Sequence, residues 1–256
     1  MMNLIQYDLV LLNTSGGKDS SVMAWKVTKM AEAQGLKDRL VLAHATFREE
    51  WEGTVDVVKK QAEQLGLPYH VVERGEGLLD YVRRRKMWPS NKARYCTSDF
   101  KRGPIDKLIT KLAPGKTRLV RVLNVMGIRA EESPARAKKK AFQVRARRWN
   151  ARRLVHNWLP IFDMKLAEVW ETIKANAIPQ HAAYGLGMPR LSCRFCIFSP
   201  MSAPMLAGKH NIELLREYAA VEKEIGHSFR QDFKIQDVLA AVEAGKEAGP
   251  VSDWRM

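Results

Sequence analysis

Short apolar runs alternate along this chain with stretches whose apolar residues recur every three or four positions. Tyr7 to Asn13 (YDLVLLN) is such a run and leads to a Gly-Gly pair, and Ser20 to Ala33 follows with Val22, Met23, Val27 and Met30 on one helical face. That order predicts strand, turn and helix. Leu40 to Thr46 and Tyr69 to Val72 predict strands; Val55 to Leu65 and Leu78 to Arg85 predict helices. Further on, Ile105 to Leu112 reads as a helix, Leu119 to Ile128 as the most apolar later strand, Leu154 to Trp158 as a short strand and Leu166 to Ile173 as a helix. Asn176 to Pro189 carries two prolines and two glycines and reads as irregular, whereas Ala203 to Gly245 returns to helical spacing through Ile212, Leu215 and Ala219, then Val238, Leu239 and Val242. Alternating units of this kind predict an α/β fold, a doubly wound and mostly parallel sheet, with a C-terminal helical appendage. The expected division is a nucleotide-binding domain over 1–200, with a basic arm inserted at 136–153, and a helical tail over 201–256.

The chain has 256 residues, 46% of them hydrophobic, which is ample for a core without disulfide staples. Charge changes the picture more: 43 Lys and Arg against 28 Asp and Glu give a formal +15, which favours a polyanionic substrate or partner. The segment Arg136 to Arg153 concentrates this excess, with nine basic residues and no acidic one. It predicts a mobile surface arm that makes sequence-independent phosphate contacts to DNA or RNA, or else a solvated loop that only steers ATP. Three cysteines, Cys96, Cys193 and Cys196, are too few and too odd for a disulfide framework and fit a metal or redox site in a reducing compartment. The first apolar run is too short for a membrane span and lacks signal-peptide features, so the expectation is a cytoplasmic protein with no membrane partner.

The candidate chemistry begins at Ser15-Gly16-Gly17-Lys18-Asp19-Ser20. Paired glycines after a strand let backbone N–H groups converge on an anion, and the helix that follows adds its positive N-terminal end. Ser15 and Ser20 can donate hydroxyl hydrogen bonds, Lys18 can neutralise phosphate, and Asp19 can hold Mg2+. An ordinary capped turn is the plainer alternative. The spacing excludes the G-x-x-x-x-G-K-[ST] pattern.

This turn resembles the PP-loop signature S-G-G-x-D-S, and three further stretches extend the resemblance to the phosphoadenosine phosphosulfate (PAPS) reductase family. Gly127-Ile128-Arg129-Ala130-Glu131-Glu132-Ser133 with Arg136 resembles G-x-R-x-x-E-S-x-x-R; Pro160-Ile161 with Val169-Trp170 and Ile173 resembles a family helix entry; and Tyr184, Gly187, Arg190, Cys193 and Cys196 resemble Y-x-x-G-x-x-R-x-x-C-x-x-C. The resemblance implies an adenine nucleotide α-hydrolase-like fold that binds ATP with Mg2+ and cleaves between the α and β phosphates. On this reading Lys18, Asp19 and Arg129 are catalytic. Ser15, Gly16, Gly17, Lys18, Asp19, Ser20, Thr46, Gly127, Arg129 and Arg190 bind nucleotide, with Arg129 and Arg190 gripping anionic groups through their planar forks. The stretch His44 to Phe47 is placed to read adenine with its backbone.

For the cysteines, the resemblance implies a 4Fe-4S cluster on Cys96, Cys193 and Cys196, with Arg94, Lys101, Arg102 and Arg194 offsetting thiolate charge. Zinc on three cysteines plus His181, or unligated thiols, are the alternatives. The sequence departs from the family's cluster-bearing reductases, which carry an adjacent cysteine pair where Cys96 stands between Tyr95 and Thr97. It also shows no cysteine after Cys196, the region from which those reductases draw their nucleophile. The expected activity is therefore adenylation of a nucleic-acid acceptor for sulfur transfer, with a sulfur-donor protein such as a cysteine desulfurase as partner. The alternatives are a sulfonucleotide reductase and a nucleotide-binding regulatory module without turnover.

Overall fold

The computed structural model describes residues 2–115, 118–145 and 152–254. In chain order its regular elements begin with β1 (Leu9–Asn13), α1 (Lys18–Ala33), β2 (Leu40–Thr46), α2 (Thr54–Leu65), β3 (Tyr69–Glu73) and α3 (Leu78–Arg85). A short turn α4 (Tyr95–Thr97) and a π-type turn (Ser98–Arg102) lead into α5 (Gly103–Leu112), β4 (Val120–Met126) and α6 (Pro134–Ala137). Then come β5 (Phe142–Val144), β6 (Arg153–Trp158), α7 (Leu166–Ala175), α8 (Ser202–His210), α9 (Ile212–Ile225) and α10 (Ile235–Glu243).

The strands form one sheet in the order β3-β2-β1-β4-β6-β5, parallel except for β5. Leu9 to Leu12 are buried along the whole of β1 because parallel strands are covered on both faces. The chain builds outward from β1 through β2 and β3, then returns to lay β4 on its other side. That reversal opens a crevice at the carboxyl ends of β1 and β4, where ligands of such sheets bind. One polar row crosses the apolar centre: Asn13 Nδ2 donates to Asn124 Oδ1 at 2.7 Å, and Asn124 Nδ2 donates to Asn157 Oδ1 at 2.8 Å. Each amide thereby satisfies its neighbour inside the sheet.

One face of the sheet is covered by α1, α2 and α7 through residues such as Val22, Val27, Val58, Val169 and Ile173. The other is covered by α5 through Ile105, Leu108 and Ile109. A third cluster joins α3 and the cysteine segment to α8, α9 and α10, with Trp88 stacked on Tyr218 at 5.2 Å. Glu222, 3% exposed, fastens this cluster: its carboxylate accepts from the backbone N–H of Phe229 (2.6 Å), Ile235 (3.1 Å) and Gln236 (3.0 Å).

The α/β architecture and the helical C-terminal region agree with the sequence reading. The basic arm needs correction. Within 136–153, Phe142–Val144 pairs with β6 as an edge strand, Arg153 opens β6, and Arg145 is held by both oxygens of Asp106 at 2.5 and 3.0 Å. The apolar-polar-apolar step Phe142-Gln143-Val144 fits strand pairing, and a bidentate carboxylate fixes the arginine that follows. Residues 146–151, with Arg147 and Arg148, lie outside the described residues. Among the described residues no helix is long and apolar enough to cross a membrane.

Candidate nucleotide and cysteine site

The glycine turn leaves β1 at its carboxyl end and feeds the first turn of α1. Gly16 takes a left-handed φ of 72°, a conformation that glycine adopts without a Cβ clash. Hydroxyls knit the turn: Gly16 N donates to Thr14 Oγ1 at 3.1 Å, Ser15 N to Ser20 Oγ at 3.1 Å, and Ser20 Oγ to Gly17 O at 2.9 Å. Gly127, just past β4, closes the other wall. A Cβ built there would stand 2.6 Å from Ser20 Cα and 2.7 Å from Asp19 O, inside backbone that cannot yield.

The charged residues of the turn meet partners distant in sequence. Lys18 is buried, with Nζ donating to Pro189 O at 3.0 Å and lying 3.4 Å from Asp19 Oδ2. Asp19 Oδ1 accepts from Arg129 Nε at 2.6 Å, and Arg129 Nη1 donates to Glu131 Oε2 at 2.6 Å. Burial works against the Arg129 charge, but the adjoining Asp19 and Glu131 hold its pKa above the ordinary value. Lys18, Asp19 and Arg129 thus converge. The backbone N–H of Lys18 donates to Tyr184 Oη at 2.9 Å, so the segment before the cysteine pair sits on the glycine turn. Trp170 meets the Tyr184 ring edge-on at 5.2 Å.

The Arg190 guanidinium is paired with the Asp253 carboxylate and donates to the backbone carbonyl of Glu132 at 3.1 Å. Thr46 Oγ1 donates to Glu50 Oε2 at 3.3 Å, while the buried His44 lies between Thr14 O (3.0 Å) and Glu50 Oε2 (2.9 Å). The end of β2 therefore contacts the glycine turn through the His44 ring.

Glu50 also joins this region to the cysteines, because its backbone bridges Cys193 in antiparallel fashion and Arg194 N donates to Glu49 O at 2.9 Å. All three cysteines are free thiols. Burial pushes the Cys193 and Cys196 thiols up, and the Lys101 ammonium opposes it. The Lys101 ammonium is within electrostatic reach of Cys193, Glu50, Cys96 and Cys196, which together raise its pKa against the effect of burial. Arg194 does not serve them. Its guanidinium is turned to Asn211 Oδ1, Arg48 O and, at 3.5 Å, Glu52.

Three free thiols are the donor type that an iron–sulfur cluster takes. Among the described residues no three His, Cys, Asp or Glu side chains are grouped to hold one metal. His181, the fourth ligand of the zinc alternative, has Nε2 bonded to Glu52 O at 2.8 Å and Nδ1 accepting from Ala183 N at 3.0 Å.

Three participants escaped the sequence reading: Glu50, the Pro189 carbonyl and Asp253. For Glu50 a signal existed, since acidic residues directly after a buried parallel strand stand at the ligand-binding end of the sheet. Its neighbour Glu49 is 1% exposed, and its Oε2 finds no hydrogen-bond partner among the described residues; burial pushes its carboxyl up to about 7. A raised carboxyl favours the folded state fully below the ordinary value of 4.5, and that contribution is lost as pH rises through about 7. Urea denaturation across this window is expected to show stability falling with pH, and Glu49→Gln is expected to flatten the fall; an unchanged slope in the variant would assign it to another group.

Comparison with known proteins agrees with the geometry. An uncharacterized protein of Methanocaldococcus jannaschii is 28% identical over 219 residues, 84% of this chain and 48% of its own length. An uncharacterized 37.8 kDa protein of Escherichia phage 186 is 29% identical over 129 residues, 50% of this chain and 37% of its own. The chain therefore spans less than half the length of these curated relatives. Among solved structures, the U34-tRNA thiolase NcsA from Methanococcus maripaludis, with its 4Fe-4S cluster, superposes at a TM-score of 0.51 and 15% identity, covering 93% of this chain and 74% of the thiolase. Residues 9–198 match the phosphoadenosine phosphosulfate reductase domain, from the first strand through the cysteine pair, and the chain belongs to that family.

Proposed function

We propose that this protein is an ATP pyrophosphatase that adenylates a nucleic-acid acceptor so that sulfur can replace the activated oxygen. The observation that carries the reading is the convergence of Lys18, Asp19 and Arg129 at the glycine turn, beside a segment that runs from Tyr184 on the turn to Cys193 and Cys196. The α1 amides and Lys18 would bind phosphates, and Asp19 would hold Mg2+. An acceptor oxygen attacking the α-phosphate releases pyrophosphate and becomes bonded to AMP, a far better leaving group than oxide or hydroxide; sulfur then takes its place as AMP departs. Arg129 is placed to stabilise the charge that develops on the α-phosphate. Cys96, Cys193 and Cys196 would hold a 4Fe-4S cluster, which when bound supplies a site that carries sulfur.

Reduction of a sulfonucleotide is the second reading, but Cys193 and Cys196 would have to supply its nucleophile, and burial of both thiols opposes thiolate formation. The deciding experiment is anaerobic purification followed by iron and sulfide analysis and a pyrophosphate-release assay with RNA and DNA. The expected result is about four irons per chain, lost in Cys193→Ser, with release stimulated by one nucleic acid. Iron-free protein that releases no pyrophosphate with either polymer would remove this reading.

A further inference from the structure

Cys96 lies in a second basic stretch of the sequence, distinct from residues 136–153. Residues 83–102 carry eight Lys and Arg against one acidic residue, Asp99. Some of these charges are answered locally: Arg83 by Asp80 and Glu224, each at 3.0 Å, and Arg84 by Glu76 at 3.0 Å. Arg85 and Arg94 are different. Both are exposed, and neither pairs with a carboxylate among the described residues. Each is laid over an aromatic ring instead, Arg85 at 4.8 Å from the Tyr95 centroid and Arg94 at 4.6 Å from that of Phe198. Asp99, the carboxylate that Arg85 reaches electrostatically, accepts from Tyr81 Oη at 2.6 Å.

The two rings adjoin the cysteines. Tyr95 precedes Cys96, and Phe198 stands two residues after Cys196, whose thiol lies within the electrostatic reach of Arg94. A guanidinium resting on a ring has already given up much of its rotamer freedom, keeps its charge, and presents its donors in the fork that matches a phosphate. Its free face also offers a plane on which a base can stack. An ordinary solvated basic face has neither property, because its lysines and arginines are mobile or paired.

We propose that Arg85 and Arg94 form a phosphate-gripping rim over the cysteine site, which holds the backbone of the nucleic-acid acceptor while its reactive group faces the sulfurs. This rests on the acceptor reading above and adds to it where the acceptor lies: against the α3–α4 surface rather than against the basic segment near β5. Phosphate recognition of this kind serves RNA and DNA alike, so the test includes both.

The experiment is fluorescence anisotropy with labelled single-stranded RNA and DNA oligonucleotides of the same sequence, titrated over a salt series. Wild type is compared with R85Q/R94Q, with R85K/R94K and with K138Q/K139Q/K140Q. Loss of two phosphate contacts is expected to weaken binding by about tenfold at moderate salt and to lower the log–log salt slope by roughly 1.4–1.8. The lysine pair keeps the charge and is expected to keep most of the slope while losing a few-fold in affinity, a pattern that general misfolding does not produce. Wild-type binding with an unchanged slope in R85Q/R94Q, or a slope lost wholly in the 138–140 variant, would overturn the rim and leave the acceptor reading standing. Wild type that binds neither polymer would overturn both.

Discussion

Asp19→Ala is expected to lower pyrophosphate release by about a hundredfold or more and to destabilise the fold by about 3 kcal/mol. The two effects have separate origins. Arg129 is nearly sealed from solvent, at 4% side-chain exposure, and Asp19 and Glu131 both lie within hydrogen-bonding distance of it. Breaking a buried ion pair costs about 3–5 kcal/mol because a charge is left uncompensated, and the lower end applies here because Glu131 remains at 2.6 Å. Asp19→Asn separates the effects. The amide keeps a carbonyl for Arg129 and should recover much of the stability, yet it is a poor Mg2+ ligand and should leave release low. Denaturant titration and a coupled phosphate assay measure both, and an Asn variant with wild-type turnover would take Asp19 out of the chemistry.

Glu222→Ala is expected to be the most damaging change away from the glycine turn, at about 4 kcal/mol. Three backbone N–H groups lose their acceptor together, and each unsatisfied donor costs about 1–3 kcal/mol, partly relieved where water enters. The damage should travel. Glu222 pins the chain between α9 and α10, and that connection also supplies His227 O, to which Trp88 Nε1 donates at 3.0 Å. Trp88 belongs to the cluster that packs against Cys96 and Cys193. Faster alkylation of the cysteines should therefore accompany the lower urea midpoint. Glu222→Gln keeps one carbonyl oxygen and should fall between the two proteins. An alanine variant as stable as wild type would mean that water replaces the carboxylate.

What the sequence disclosed was chiefly local. The strand, glycine pair and helix from Leu9 to Ala33 follow from apolar spacing and from the turn chemistry of adjacent residues, and the same holds for β2 and α3. Convergence across long separations was not readable from spacing. Asp19 and Arg129 meet over 110 residues, and only the motif resemblance brought them into one site. Nothing in the pattern joined Arg190 to Asp253, because exposed acidic residues carry no sign of their partners. His181 shows the opposite failure: proximity to the cysteines in sequence suggested a ligand, but its ring is turned toward the chain before α2. Strand β5 was obscured because three alternating residues give little periodicity inside a run of like charge. The C-terminal helices were visible one by one, but the core they share with α3 depends on packing that periodicity does not encode.

The tight contact at Gly127 has a consequence for how the site responds when filled. Main chain rests directly on main chain there, with no side chain to act as a cushion, so the tip of β4 and the start of α1 behave as one solid piece. The loop is cast in its working shape by the sheet beneath it. On the proposed function, an incoming polyphosphate would conform to that mould, and any rearrangement on turnover would fall to the side chains and to the segment lying above.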